Sequence, residues 1–448
     1  MRKQGDTFQV SASDLVGYLY CRHLSALERA VAEGTLKKPL IRDPLQEILW
    51  ERGLIHEQSY LEHLTKSGLE VVKIEGVEVT DAAVAETVAA MKNGVQVITQ
   101  GALSYGGWVG RPDILRRVEV PSALGCWSYQ PVDTKLARET KAGAILQLCL
   151  YSDLITQIQG VAPEHMAVVV PWSDFEPQIY RFADYAAYFR KVRGELLRSL
   201  SNPEPEASYP DPIEHCEVCG WRVACEQRRR KDDHLCLVAG ISKLQINELT
   251  ERGLNTMKAL ATMSLPLDWK PERGSAMAYG RVREQARIQV EARESGEPRF
   301  ELLPVEAGFG LTRLPEPSEG DIFLDLEGDP FAGEHGLEYL FGYLSRNGSG
   351  MLEYRHGWGL SRADEKRAFQ DFIDFVMTRW VEFPGMHIYH YAPYEPAALK
   401  RLMGRYATRE EELDRMLRAK LFVDLYQIVR HGIRAGVESY SIKRLEPF

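Results

Sequence analysis

Apolar residues recur at helical spacing in some stretches and at strand spacing in others, and the two patterns take turns along the chain. Helices are predicted from Ser11 to about Glu33 and from Asp43 to Ser67. A strand region then runs from Val95 to about Val118, with a further strand from Ser128 to Lys135. In the helix expected from about Thr140 to Thr156, Ile145, Leu146, Cys149 and Leu150 fall on one face. Strands at His165–Trp172 and Pro177–Phe182 precede a helix from Tyr185 to Ser199. Strands with a helix crossing between them predict an α/β core.

A Pro/Glu-rich turn segment, Ser201–Pro212, closes this block. Residues 237–264 read as two short helices joined at Gly253, and residues 265–315 as connection with one helix, Ala276–Arg293. From Gly320 a second α/β pattern begins with the strand IFLDLEGD. No internal repeat or low-complexity tract occurs.

A length of 448 residues fits about three domains. Hydrophobic residues at 44% and charged residues at 27% exclude a disordered or fibrous chain. The net charge of −9 argues against binding nucleic acid by bulk charge, while leaving room for a local basic groove. The longest charge-free stretch, Asn93–Gly110, is broken by glycines and polar residues, so no bilayer span is expected. The N-terminus lacks the apolar core of a signal peptide, and a cytoplasmic protein is expected. Seven cysteines in a reducing compartment point to a metal site and away from a disulfide framework.

Two segments carry the first chemistry: GRPDIL (Gly110–Leu115) and PVDTK (Pro131–Lys135). On a strand Asp133 and Lys135 project to the same side, and an adjacent strand can bring Asp113 beside them. Paired carboxylates repel, and a hard cation such as Mg²⁺ or Mn²⁺ stabilises them. A neighbouring lysine can then orient or deprotonate a water for phosphodiester hydrolysis. The plain alternative is a surface D-x-K pair. The region resembles the PD-(D/E)xK nucleases, specifically their RecB-like branch, with RGLIHE (Arg52–Glu57) similar to the histidine motif, GRPDIL to the second and PVDTK to the third. QLCLY is similar to the helical Q-x-x-x-Y motif that follows. The resemblance implies a restriction-endonuclease-like core over residues 1–235. His56, Asp113 and Asp133 would be its metal ligands, with Lys135, Gln147 and Tyr151 as further site residues.

Cys216, Cys219 and Cys225 form a tight cluster that leaves a closed metal site one ligand short, with Cys21 as the upstream candidate. Order and spacing are similar to the iron–sulfur subset of RecB-like nucleases, AddB and the CRISPR-associated RecB-like exonucleases among them. That resemblance implies a [4Fe–4S] cluster clamping the two ends of the domain. Sulfur ligands equally accept zinc, on these cysteines or on three of them with His23 or His215, and spacing does not choose. Cys126, Cys149 and Cys236 have no partner spacing and are expected as buried small hydrophobes. Beside the quartet, Arg228, Arg229, Arg230 and Lys231 offer either a phosphate-contacting edge on DNA or a solvated helix face.

Residues 236–265 resemble a helix-hairpin-helix module, a plain helical connector being the alternative, and residues 266–318 read as a linker with its helix. In IFLDLEGD, Asp325 and Glu327 share one strand face, where they bind a cation or simply face solvent. Residues 319–448 resemble the DEDD 3′–5′ exonucleases of the RNase H-like fold. HIYHYAPYEPAAL is similar to their second motif with Glu395 in place of Asp, and LFVDLYQIV offers Asp424. SYSIKRLEP is similar to the segment before the last motif, a Tyr- or His-x-x-x-Asp helix that is not present before Phe448, so a truncated domain with an incomplete second site is expected. Relatives pairing both regions often continue into a helicase, which implies one in cis or in trans, although no GxxxxGK[ST] loop occurs here. The paired carboxylates with Lys135 predict a metal-dependent nuclease, and the resemblances imply that it acts on DNA, exonucleolytically on single strands or duplex ends, in repair, recombination or defence. The alternatives are a catalytically silent nucleic-acid-binding scaffold and a zinc-binding regulatory protein.

Overall fold

The computed structural model describes every residue except 6, 40–43, 138, 203–207 and 334. The expected helix start at Asp43 and part of the Ser201–Pro212 turn segment therefore lie outside the described residues. The chain forms two compact units, Met1–Glu226 and Gln227–Phe448.

The first unit opens with β1 (Arg2–Gln4), β2 (Thr7–Ser11), α1 (Ala12–Tyr20), α2 (Arg22–Ala32), α3 (Pro44–Lys66), β3 (Val71–Lys73) and α4 (Asp81–Lys92). Then come β4 (Val97–Thr99), β5 (Leu103–Tyr105), β6 (Trp108–Gly110), β7 (Ile114–Val118) and β8 (Ser128–Thr134). It closes with α5 (Ala142–Gln159), β9 (His165–Val169), β10 (Gln178–Arg181), α6 (Phe182–Ser201) and α7 (Arg222–Lys231), the last running across the unit boundary.

The main sheet has the order β10-β9-β8-β7-β4-β3, with β8–β9 and β3–β4 parallel and the other pairs antiparallel. Side-chain alternation sorts its two faces. Val97, Ile114, Val132, Ala167 and Val169 pack with Tyr60 and Leu64 of α3, while Ile98, Leu115, Tyr129, Met166 and Val168 join the core around α5. A sheet covered on both faces needs apolar residues on both, which is why these strands carry so few polar ones. A smaller sheet, β1-β2-β6-β5, completes the unit.

Three expectations change here. The single helix expected from Ser11 to Glu33 is two, because Cys21 is extended (φ −149°, ψ 108°) and its sulfur accepts the Leu24 N–H at 3.3 Å, starting a new helix. The strand region Val95–Val118 is four short strands, with Gly106 and Gly107 at positive φ (57° and 81°) turning β5 into β6. Cys149 is buried and Cys236 half-buried, but Cys126 is exposed in the β7–β8 connection, so it is not a core residue.

In the second unit, α8 (Lys243–Glu251), α9 (Met257–Ala261) and α10 (Ala276–Ser295) enclose a core that includes Leu249, Leu260, Tyr279 and Ala286. Gly253 takes φ 81° at the α8–α9 turn. The amides that open α9 already have partners inside the unit: Met257 N–H donates to the Asp233 carbonyl oxygen (2.7 Å) and Lys258 N–H to its carboxylate (2.8 Å). After β11 (Phe300–Leu302), the chain builds β12 (Ile322–Asp329), β13 (Leu337–Arg346), β14 (Leu352–Trp358) and α11 (Arg362–Glu382). It continues through β15 (Ile388–His390), α12 (Tyr394–Tyr406), α13 (Glu410–Arg418), β16 (Phe422–Asp424), α14 (Leu425–Gly432), β17 (Ile433–Ala435) and α15 (Ile442–Leu445). The sheet order is β14-β13-β12-β15-β16: an antiparallel meander of three strands, extended by two strands parallel to β12. On β12, Ile322, Leu324 and Leu326 are buried in the core with α11, α12 and α13, while Phe323, Asp325 and Glu327 face outward. The alternation read from IFLDLEGD is thus realised residue by residue.

Candidate active sites

The first acidic cluster lies where β7 begins and β8 ends. Asp133 shares the face of β8 that carries Tyr129, and its side chain is fully buried (0% exposed). A surface D-x-K pair is therefore not what this segment forms. Neither carboxylate oxygen of Asp133 has a hydrogen-bond partner. Lys135 Nζ stands 2.6 Å from Oδ2, an ion pair without hydrogen-bond alignment. Burial, and then the like charge of Asp113, push the Asp133 carboxyl well above the usual range. Burial alone would lower the Lys135 ammonium, but the charges of Asp133, Asp113 and Glu57 outweigh it and raise its pKa. Asp113 is held by Thr134, whose backbone N–H (2.8 Å) and hydroxyl (3.0 Å) both donate to Oδ2.

Glu57 was not among the residues expected. Its carboxyl is raised by burial and then by the charge of Asp113, and Gln100 Nε2 donates to its Oε1 at 2.7 Å. Gln100 adopts φ 52° while its own N–H donates to the Asp113 carbonyl oxygen (2.9 Å), so a strained residue links the Glu57 carboxylate to the Asp113 backbone. His56 stands one position earlier on α3. It is buried, and its Nε2–H donates to the Val169 carbonyl oxygen (3.0 Å), leaving only Nδ1 as a donor to a metal. That same oxygen receives the Lys135 N–H (3.0 Å), so His56 braces the strand end.

On α5, Gln147 Nε2 donates to the Tyr151 hydroxyl at 2.9 Å. Tyr151 is buried, and the charges of Asp133 and Asp113 add to burial in raising its pKa. A Cβ on Gly110 would stand 2.7 Å from its ring, so the glycine of GRPDIL makes room for this tyrosine.

Among the cysteines, the Cys21 thiol is pushed up chiefly by burial, and the charges of Cys216 and Cys219 add to it. Cys225 lies on α7, one turn after Trp221. Trp221 is buried and its Nε1–H donates to Glu28 Oε1 on α2 (3.0 Å), joining the late loop to the early helix. His215 stacks on Tyr20 (centroids 5.1 Å) and His23 Nδ1 lies 2.9 Å from the Ser208 hydroxyl. The basic run is largely engaged: Arg229 is buried, Arg228 pairs with Asp232 (2.6 Å) and Arg230 makes two bonds to Glu438 (2.6 and 2.8 Å), with Lys231 left exposed.

The second acidic cluster lies on the open face of β12. Burial, then the charges of Glu327 and Glu395, raise the Asp325 carboxyl. Glu395, in the first turn of α12, is buried with Oε2 unpartnered by any hydrogen bond, 3.6 Å from His390 Nδ1. Asp424 is placed differently. Its Oδ1 accepts the N–H groups of Tyr426 (2.9 Å), Gln427 (3.3 Å) and Ala392 (3.1 Å), so it caps α14 and secures the loop before Glu395. Gly342 pairs with Asp325 across the sheet, and a Cβ there would meet the Tyr354 hydroxyl at 2.6 Å. Tyr354 thus reaches across toward Asp325.

Among the described residues, no group of three or more His, Cys, Asp or Glu side chains stands ready to hold a metal ion. The donor chemistry nevertheless suits metals. Orphaned carboxylate oxygens at Asp133 and Glu395 suit a hard cation, and the sulfur of free cysteines suits a soft one.

A family model described as RNase H superfamily matches residues 322–448, the stretch that forms the β12–β16 sheet and its helices. The C-terminal region is accordingly RNase H-like, a class whose members are commonly metal-dependent nucleases. No curated protein matches the chain. Among the described residues, no helix is long and apolar enough to cross a membrane.

Proposed function

We propose that this chain is a metal-dependent deoxyribonuclease with a RecB-like PD-(D/E)xK centre in its first unit and an RNase H-like centre in its second. The reading rests above all on Asp133: a fully buried carboxylate whose oxygens lack hydrogen-bond partners, set against Lys135 and beside Asp113 and Glu57. Lys135 offsets one negative charge, but Asp133, Asp113 and Glu57 bring together more carboxylate than one ammonium balances, and a divalent cation supplies the rest. Asp133, Asp113 and Glu57 would hold Mg²⁺ or Mn²⁺, with His56 Nδ1 as a further donor. When bound, the cation activates water and neutralises the phosphate. Lys135 orients that water and stabilises the charge that develops, while Tyr151, steadied by Gln147, walls the site against bulk solvent. Cys21, Cys216, Cys219 and Cys225 would carry a [4Fe–4S] cluster that fastens the ends of the unit, in the place where Trp221 already meets Glu28. In the second unit Asp325, Glu327 and Glu395 would form the cation site, Asp424 acting through the Ala392 loop. The substrate is DNA, as a single strand or a duplex end, and a repair, recombination or defence role alongside a helicase follows from the same resemblance.

End-labelled single-stranded DNA with Mn²⁺ tests the first centre. Wild type degrades it, and Lys135→Ala leaves it intact when Asp325 is also replaced by Asn. Equal cleavage by the Asp325→Asn protein with and without Lys135 would refute the assignment.

A further inference from the structure

A cavity of about 610 Å³ opens in the second unit between α8, α10, α14 and the turn that follows β17. Its wall is basic. Arg281 on α10 and Arg430 on α14 pair with no carboxylate among the described residues, and Arg430 donates only to the Tyr426 hydroxyl (3.0 Å). The carboxylate in the wall, Glu438, is neutralised by its two bonds to Arg230 (2.6 and 2.8 Å), and Arg434 is engaged with Glu301 (3.0 Å). His431 completes the rim, its ring against Phe309 (centroids 4.6 Å). Two uncompensated guanidiniums facing one hollow favour an anion between them, and forked guanidinium donors match phosphate oxygens.

The cavity is tied to the acidic cluster by a single helix. Asp424 caps α14, which carries Tyr426, Arg430 and His431 into the cavity, and also holds the loop leading to Glu395. Six residues of helix separate Asp424 from Arg430, about 9 Å along the axis. That is a step or two along an extended nucleic-acid strand, and the cavity is far larger than one phosphate needs.

We propose that this cavity binds backbone phosphates of a single-stranded nucleic acid whose end lies at Asp325, Glu327 and Glu395. The inference rests on the nuclease reading of the second unit, and it adds the path by which the strand is held.

The test uses the full chain and a fluorescein-labelled oligothymidylate, with binding followed by anisotropy in EDTA so that no cleavage intervenes. Losing two phosphate contacts in Arg281→Gln/Arg430→Gln should weaken binding about 20-fold near 0.1 M salt and reduce the salt slope by about 1.4. Arg281→Lys/Arg430→Lys keeps both charges and should retain most of that slope. Both variants should melt with wild type, since the two arginines are exposed. Unchanged affinity and slope in the glutamine variant would overturn the proposal. So would inorganic phosphate that binds wild type without displacing the oligonucleotide, because the cavity would then serve a free anion. Cleavage with Mn²⁺ by Asp325→Asn in a Lys135→Ala background, read separately, reports on the nuclease reading alone.

Discussion

Replacing Asp133 by Asn should stabilise the metal-free protein while destroying the first centre. Each buried polar atom left without a partner costs about 1–3 kcal/mol, and Asp133 has two such oxygens in a fully buried side chain. Lys135 at 2.6 Å returns part of that cost, but the like charge of Asp113 works against the return. Asn removes the buried charge and brings an N–H₂ donor toward Asp113, for a net gain of about 1–3 kcal/mol. For a unit of this size each kcal/mol raises the melting temperature by roughly 2–4 °C. The pH dependence has a definite sign. A carboxyl raised on folding binds more protons in the folded than in the unfolded state, so stability falls as pH rises from the ordinary carboxylate range through the folded value. Wild type in EDTA should therefore lose stability over that window, and Asp133→Asn should lose less. Added Mn²⁺ should raise the melting temperature of wild type at neutral pH and leave the variant nearly unmoved. Calorimetric scans of both proteins at several pH values, with EDTA and with Mn²⁺, measure all of this. An Asn variant that melts below wild type in EDTA at neutral pH would refute the reasoning, because the carboxylate would then be a satisfied structural group.

Glu57→Gln should raise the Mn²⁺ concentration for half-maximal cleavage at least tenfold with little change in melting, as a titration of activity will read. Gly110→Ala places a methyl 2.7 Å from the Tyr151 ring and should cost about 1–3 kcal/mol in denaturant unfolding, with reduced cleavage. Anaerobically purified protein should be brown, and Cys216→Ala should lose the broad visible absorption; a colourless wild type carrying stoichiometric zinc would remove the iron–sulfur assignment. Trp221→Phe removes the hydrogen bond to Glu28 and should lower stability by about 1 kcal/mol, measured by urea unfolding.

What could be read from sequence is local. The period-two pattern of IFLDLEGD placed Asp325 and Glu327 on one face, and the spacing in PVDTK did the same for Asp133 and Lys135. The helix carrying Gln147 and Tyr151 followed from its apolar spacing, and the two residues meet across one turn. What was missed depends on long-range packing. Glu57 follows His56 on α3, and that its carboxylate also comes near Asp113 is decided by how the helix docks on the sheet. The partners of the basic run are equally remote, since Glu438 lies at the far end of the second unit. Cys21 looked like a helix interior, and nothing nearby announced that its sulfur would cap the next helix. Helix α4 had a readable signal, with Thr80 as its N-cap before an alanine-rich run.

Gly110 and Tyr151 share one volume between a strand and a helix. The backbone at Gly110 is not left-handed, so its demand for glycine is one of space alone. A larger side chain there can be accommodated only by a smaller one at position 151, and Gln147 then loses its partner. One position on the strand and two on the helix about forty residues later should therefore change together or not at all. A library that varies them singly would report three intolerant sites, whereas one that varies them jointly would find a single exchangeable unit.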